Sequence, residues 1–600
     1  MNKGKKKNNW RHTFKNNKYM IDLIMQSCPS VFVLSLISTI FSALHSFLLD
    51  TYIYQYALNS FQEGKELKII LITLGGMFAY TVFYTFFQCI SDCYFELKFP
   101  IVEAYIQNIL QKKACTVDIA CFESSAFYDT YIKAADDATN RAYSVMKNIL
   151  DVLWAIINVV ATGALIFIID PIFLFLTFLP LVCTMFIGKK RNRINYEYNM
   201  RTKEAARKRD YVRRTFYLKD FSKEMRLTEI WKVMLKRMHN SVAEMKDIVN
   251  KYGYKMMFFR YLFDFIFDVV IDTGTIILAA FKTLVLKNMY FGDCFVVINS
   301  ISHIAGRINF IGDVIFKFDE NSLYVDNLRD FLEYEIHIVE DENAPVVPLF
   351  KKLELKNITF CYGKQSIPAL SNVNLTIHAG EKIAIVGHNG AGKTTLVKLL
   401  QRLYDPSKGE ILLNGNSIKN YRLSSYRGLF ATVFQDYNLF ATTIAENVLL
   451  RGDITDEDKK LVKDSLQKVG IYDKIKTLPS GVDSNVTREF DNDGVVFSGG
   501  EAQKISIARI FAGKHEIVIM DEPTSALDPI AEQEMYRNIF EVCQEKTVIF
   551  ISHRLSSVTM ADRVYMFENG EIIEQGTHNE LLSLNAKYAD MWHKQAGTYM

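Results

Sequence analysis

Six hundred residues are too many for a single hydrophobic core, so the chain must hold several domains. It is 49% hydrophobic and only 23% charged, with a net charge of +3 that gives no ground for a nucleic-acid partner. The apolar excess lies between about residues 21 and 317, and from about residue 353 onward the chain reads as soluble α/β.

The chain opens on a basic arm, residues 1–20, "MNKGKKKNNWRHTFKNNKYM". The apolar run that follows, Val31–Leu49, ends in no small-residue cleavage site, so a retained membrane helix is expected rather than a signal peptide. Crossing about 30 Å of hydrocarbon takes about 20 apolar residues. Six stretches approach or exceed that length: Pro29–Leu49, Lys68–Ile90, Val145–Ile169, Pro171–Ile187, Met256–Leu284 and Phe295–Phe316. The third and fourth are joined by Asp170 and Pro171, a tight hairpin. After the fourth, Lys189–Arg214 carries eleven Lys and Arg, whereas the loop Asp50–Leu67 carries only Lys65. This asymmetry places both termini in the cytoplasm. The long intervals at about 96–144 and 188–255 have helical composition, with aliphatic and aromatic residues throughout. The membrane helices should therefore continue into the cytoplasm as rods rather than dissolve into disordered loops. The nine cysteines show no metal-ligand spacing and are expected to be free thiols.

Within the fifth span, "LFDFIFDVVIDTG" sets Asp264, Asp268 and Asp272 four apart, on one face of a helix. Charge facing lipid is costly, so the three should face the bundle interior or water. Three uses compete: contact with a cationic, amphipathic cargo, pairing with His303 and Arg307 of the sixth span or His45 of the first, and proton coupling.

A charged, proline-bearing stretch, Glu340–Pro348, reads as a linker. Beyond it "LELKNITF" alternates as a strand should. Then Lys382–Val386, a buried-strand pattern, runs into Gly387, Asn389, Gly390, Gly392, Lys393, Thr394 and Thr395, a P-loop in its strand–loop–helix setting. Backbone N–H groups there can close on phosphate; Lys393 can reach the β/γ-phosphates and the Thr394 hydroxyl can ligate Mg²⁺. A chance glycine-rich turn would lack that flanking strand and helix. "EIVIMDEP" (Glu516–Pro523) delivers Asp521 and Glu522 at the end of a buried strand, where α/β sheets bind ligands. Asp521 suits a Mg²⁺ shell, and Glu522 suits a general base for water attacking a γ-phosphate. A further buried strand, "TVIFISH", ends in His553.

"FSGGEAQKISIAR" (Phe497–Arg509), just ahead of that acidic strand, resembles the signature motif of ATP-binding cassette ATPases. Tyr362, Gln435, Ser525–Asp528 and His553 fall where that family has its A-, Q-, D- and H-loops. With the six preceding spans, the chain resembles a half-size bacterial ABC exporter of the type IV, multidrug- or lantibiotic-peptide-exporter kind. The resemblance implies an all-α membrane domain with long cytoplasmic extensions over residues 21–339, a linker at 340–350 and an α/β ABC ATPase domain over 351–600. It implies ATP and Mg²⁺ as cofactors. Tyr362 would stack on adenine, Gln435, Asp521 and Thr394 would surround Mg²⁺, Glu522 would polarise the attacking water and His553 would contact the γ-phosphate. Ser498, Gly499 and Gly500 would close over ATP held by a second half-transporter, in a homodimer or a heterodimer. Coupling helices are implied near Phe122–Thr130 and Phe216–Arg226.

Two positions depart from the family pattern: Glu501 replaces the commoner Gln, a change expected to be tolerated, and "TREFDNDG" replaces "TEVGERG". The run "REFDNDGVVFSGGEAQKISIAR", with "FESSAFYDTYIKAADDA" (Phe122–Ala138), more closely resembles exporters of lantibiotic-type peptides. With only about twenty residues before the membrane region, no leader-trimming protease domain is expected. The resulting expectation is ATP-driven export of an amphipathic peptide or small molecule across a bacterial cytoplasmic membrane by alternating access. A lipid flippase on the same scaffold is the alternative. A regulatory ATP-binding protein ranks below both because Glu522 and His553 are present. A soluble ATPase would lack the spans, and importers usually divide the two parts between chains.

Overall fold

The computed structural model describes residues 10–123, 125–175, 189–363, 367–522, 529–552 and 555–596. The chain forms two compact units: Met1–Cys115 with Asp129–Tyr334, and Thr116–Tyr128 with Glu335–Met600.

The first unit is helical. Helix α1 (Trp10–Ser27) is followed by α2 (Pro29–Phe47), which starts at a proline, where the absent N–H is harmless. A π-turn at Leu48–Tyr52 leads into α3 (Ile53–Gln62). Helix α4 (Leu67–Thr116) has 50 residues, about 75 Å at 1.5 Å per residue, far more than a bilayer requires. After the short α5 (Ile119–Glu123), which belongs to the second unit, come α6 (Ser125–Ile169), α7 (Lys189–Tyr217), α8 (Ser222–Leu227) and α9 (Ile230–Phe265). The helix then widens to a π-segment at Ile266–Thr273, returns to α10 (Gly274–Ala280), and widens again at Phe281–Val285 before α11 (Phe291–Leu332).

Among the described residues, four helices are long and apolar enough to cross a membrane: Pro29–Gln62, Leu67–Thr116, Ala138–Ile169 and Phe291–Leu332. They match the first, second, third and sixth expected spans. The fourth, Pro171–Ile187, lies largely outside the described residues. The fifth is present as the alternating α and π pieces between Ile230 and Val285.

Part of the basic arm is not a solvated tail. Helix α1 buries Met20, Leu23 and Ile24, and its polar face docks on α11. Asn16 donates to Ser322 and Asp326, Asn17 to the Phe318 carbonyl and Thr13 to Asp319, while Arg329 donates to Asn16. Satisfying these groups by one another is what makes Asn16 tolerable at full burial.

The second unit is α/β. Strands β1 (Lys352–Phe360), β2 (Leu370–His378), β4 (Lys408–Leu413) and β5 (Asn416–Ser417) form an antiparallel sheet in the order β2-β1-β4-β5. The second sheet runs β10-β9-β3-β8-β7-β6, comprising β3 (Lys382–Gly387), β6 (Phe430–Val433), β7 (Ile517–Asp521), β8 (Thr547–Ile551), β9 (Arg563–Glu568) and β10 (Glu571–Gly576). All its pairings are parallel except β9–β10. Its inner strands β3, β7 and β8 are covered on both faces, so they carry continuous apolar runs. Ile383, Ile385, Ile517 and Ile519 enter one core with the antiparallel sheet, while Ala384, Val386, Val518 and Met520 enter another with Ile507, Ile510 and Tyr536. The linker is pinned down: Ser424 N–H donates to Glu340, Arg422 N–H to the Pro345 carbonyl and Val347 N–H to Ser425.

Candidate functional site

The sheet places β3, β8 and β7 side by side in parallel, so the segments after β3 and β7 emerge at one edge. After β3, the chain turns through Gly387, Gly390 and Gly392 at φ of 146°, 80° and 103°, conformations that favour glycine. At Gly392 a Cβ would also lie 2.8 Å from the Ala369 carbonyl oxygen. Residues His388–Gly390 are exposed, and the next helix, α12 (Lys393–Leu400), starts directly beyond them. Thr394 is exposed at its first turn, whereas Thr395 is buried and meets the Tyr362 hydroxyl at 3.1 Å.

Lys393 is 5% exposed, and its Nζ donates to the loop's own Gly387 and His388 carbonyls at 2.8 and 3.0 Å. Burial pushes its ammonium below the usual lysine range, against the opposing pull of Glu522 and Asp521. Asp521 ends β7 and is 1% exposed. Glu522 follows at φ 49°, left-handed backbone that costs a non-glycine residue energy and often marks a functional turn. Its N–H donates to Ile551, and its carboxylate accepts from Gln435 Nε2 at 3.3 Å. The structure thus brings Lys393, Asp521, Glu522 and Gln435 around one loop. His553 and Ser525–Asp528 lie outside the described residues.

Ser498 caps helix α13 (Gly499–Ala512) in a capping box with Glu501. Ser498 N–H donates to Glu501 Oε2 at 2.9 Å, and Lys474 donates to Oε1 at 2.6 Å. Together these hold the Glu501 carboxyl below its ordinary range, the Lys474 hydrogen bond first. The departure at Glu501 therefore has a structural use, which sequence reading missed because Lys474 is 27 residues away. Two further ties also escaped: Tyr437 donates to the Gly499 carbonyl at 2.6 Å, and Arg509 donates to the Asn438 and Asn447 carbonyls at 2.9 Å. They bind the segment after Gln435 to the helix that Ser498 caps. In the "TREFDNDG" stretch, Gly494 sits where a Cβ would be 1.7 Å from the Thr487 oxygen, and Phe490 stands 87% exposed.

In the helical unit, Asp264 lies in α9, and Asp268 and Asp272 lie in the π-segment. The side chains of Asp264 and Asp268 are outside the described residues. Asp272 accepts from Ser302 of α11. Arg307 does not join it: the guanidinium donates to Ser46 at 3.1 Å and lies 4.9 Å from the Trp154 ring, while Ser46 donates to Asp50. His303 is exposed, and His45 stacks on Tyr84 at 3.7 Å. Pairing of Asp272 with a base, one of the expected uses, is replaced here by a serine hydroxyl.

The family described as "ABC transporter" matches residues 370–525. The subtilin transport ATP-binding protein SpaT of Bacillus subtilis is 28% identical over 91% of this chain and 88% of its own length. A putative multidrug export ATP-binding/permease protein of Staphylococcus aureus is 38% identical over 41% of each chain. The mitochondrial iron-sulfur clusters transporter atm1 of Aspergillus fumigatus is 35% identical over 51% of this chain and 42% of its own. In fold, the chain resembles the ATP-bound structure of a bacterial Atm1-family ABC exporter, with a TM-score of 0.70 over 96% of this chain and 98% of that one, at 22% identity.

Proposed function

From the premise that this chain is a half-size ABC exporter whose ATPase is coupled to transport, we propose that its cargo is a cationic, amphipathic peptide of the lantibiotic type. The observation that carries this is the reach of the likeness to SpaT, a subtilin transport protein, through nearly the whole chain and so through its membrane half. The acidic positions of the fifth span support it, because acids within membrane segments serve substrate paths.

ABC exporters of this type work as dimers in the membrane. In our reading, adenine stacks on Tyr362, and Gly387, Asn389, Gly390, Gly392 and Thr395 wrap the phosphates. Lys393 exchanges its loop carbonyls for β/γ-phosphate oxygens. Glu522, released from Gln435, orients the attacking water, and His553 meets the γ-phosphate. Ser498, Gly499 and Gly500 of the partner protomer close the site. The hydroxyl of Thr394, the carboxylate of Asp521 and the amide oxygen of Gln435 are hard oxygen donors of the kind Mg²⁺ takes, so these residues fit the ion. Bound there, it would neutralise charge on the phosphates. The chain is read as a bacterial cytoplasmic-membrane protein with both termini inside. Closing of two such sites would switch the membrane helices between inward- and outward-facing states.

The test is ATP hydrolysis by the full chain in lipid nanodiscs, with and without a cationic amphipathic peptide, in wild type and in an Asp264/Asp268/Asp272→Asn variant. Peptide stimulation in wild type that is lost in the variant supports the peptide reading. Stimulation by lipid alone and not by peptide contradicts it and favours a flippase.

A further inference from the structure

The ATP site has a polar anchor on a segment far from it in sequence. Helix α5 lies between two membrane-unit helices in sequence, yet it folds as part of the ATPase unit. Its base is fixed by Asp118, which accepts from the His337 and Ile338 backbone N–H groups at 3.1 Å. At its end, the Glu123 carboxylate is held by two side chains: Lys398 Nζ donates to Oε1 at 2.8 Å, and the Tyr404 hydroxyl donates to Oε2 at 2.6 Å. Lys398 is on α12, one turn beyond Thr394. Its ammonium lies 5.5 Å from the Tyr362 ring centre and 5.8 Å from that of Tyr404, within cation–π range of both. The rings of Tyr362, Tyr404 and Phe360 meet one another edge to face at 4.9–5.4 Å. Tyr362 is thus held from three sides: by the aromatic pair, by Lys398, and through its hydroxyl by Thr395.

We propose that Glu123 is a positioning residue of the ATP site, fixing through Lys398 and Tyr404 the aromatic platform on which Tyr362 receives the base. The proposal rests on the reading of Tyr362 given above. With the lysine and the tyrosine both donating to one carboxylate, neither can swing without releasing it, and Tyr362 leans on both. The electrostatics agree with the geometry. Burial alone would raise the Glu123 carboxyl, but the hydrogen bonds from Lys398 and Tyr404 outweigh it and hold the group below its ordinary range. The pair is partly exposed, 43% for Glu123 and 26% for Lys398, so as an exposed ion pair it adds little to stability. What it supplies is ring placement.

The experiment measures steady-state ATPase kinetics of the full chain in nanodiscs for wild type, Glu123→Gln, Lys398→Met and Tyr362→Ala, with thermal unfolding as a check on folding. Loss of a positioning hydrogen bond to a charged group should raise the KM for ATP about five-fold in Glu123→Gln, with kcat within about two-fold. Lys398→Met should raise KM at least as much, since it also removes the cation–π contacts with Tyr362 and Tyr404, and the double variant should fall short of the sum of the two, since they share the Lys398–Glu123 link. If Tyr362→Ala raises KM but Glu123→Gln does not, or if Glu123→Gln lowers kcat at constant KM, the positioning role is overturned. If Tyr362→Ala itself leaves KM unchanged, the base-stacking reading of the site fails, and this proposal fails with it.

Discussion

The two units use the same apolar residue types to opposite ends. In the ATPase unit every residue of β7 and β8 is buried, and adjacent residues point into two different cores. In the helical unit the large apolar side chains of α4 stand outward: Ile72 is 65% exposed, Phe78 72% and Phe86 66%. A helix that shows so many large apolar residues outward needs a cover for them, and a helix this long and apolar fits hydrocarbon. Packing therefore defines the first surface and lipid the second. In the ATPase unit backbone geometry at strand ends places Asp521 and Glu522, and in the other unit polar side chains stand sparsely on long helices.

The sharpest contrast should come from chemistry. Glu522→Gln should lower phosphate release about 10²–10⁴-fold, the contribution of a positioned general base, while nucleotide binding persists in a filter or fluorescence assay. A variant still hydrolysing near the wild-type rate would remove Glu522 from the mechanism. Packing comes next. Ile519→Ala, at a position fully buried in β7, should cost about 2–5 kcal/mol in the unfolding of the ATPase unit. Ile72→Ala, on the outward face of α4, should stay within about 0.5 kcal/mol in detergent, as surface substitutions do. Equal losses at both positions would mean that α4 is covered by protein.

One place in the helical unit is packed as tightly as the ATPase core. At Gly292 a Cβ would lie 2.4 Å from Asn59 Oδ1 and 2.6 Å from the Gln55 carbonyl, where α3 and α11 meet and both Gln55 and Asn59 donate to Asp293 at 2.8 Å. Gly292→Ala should cost about 1–3 kcal/mol through forced separation, read as a drop in Tm. The smallest effect concerns Glu501. Its carboxyl is held below the ordinary range, so it contributes stability above about pH 4 that is lost as pH falls through the depressed value. Glu501→Gln should lower the unfolding free energy slightly at pH 7, by about 0.5 kcal/mol after solvent screening, read as a small drop in Tm, and the difference from wild type should vanish in acid. A deficit that grows in acid would contradict the sign.

What was legible in the sequence follows the same division. The P-loop and the acidic strand could be read because phosphate binding fixes glycines and a lysine within nine residues, and because two-sided burial writes itself as unbroken apolar runs. Four spans were legible by length. The contacts of Glu123 were not, since its partner Lys398 is 275 residues away and nothing local marks the pairing. The π-segment at Ile266–Thr273 was also hidden, as an apolar run looks the same at 3.6 or 4.4 residues per turn. The docking of α1 depends on asparagines meeting α11 about 300 residues later, which a basic composition disguises.

The measurement closest to the central claim is ATP-driven movement of peptide across a membrane. The full chain would be reconstituted in proteoliposomes with its ATPase side outward, and uptake of a fluorescent cationic amphipathic peptide followed in wild type and Glu522→Gln. Accumulation that requires ATP and disappears in Glu522→Gln is the predicted result. Peptide entering equally in both, while a labelled phospholipid is flipped only by wild type, would contradict it.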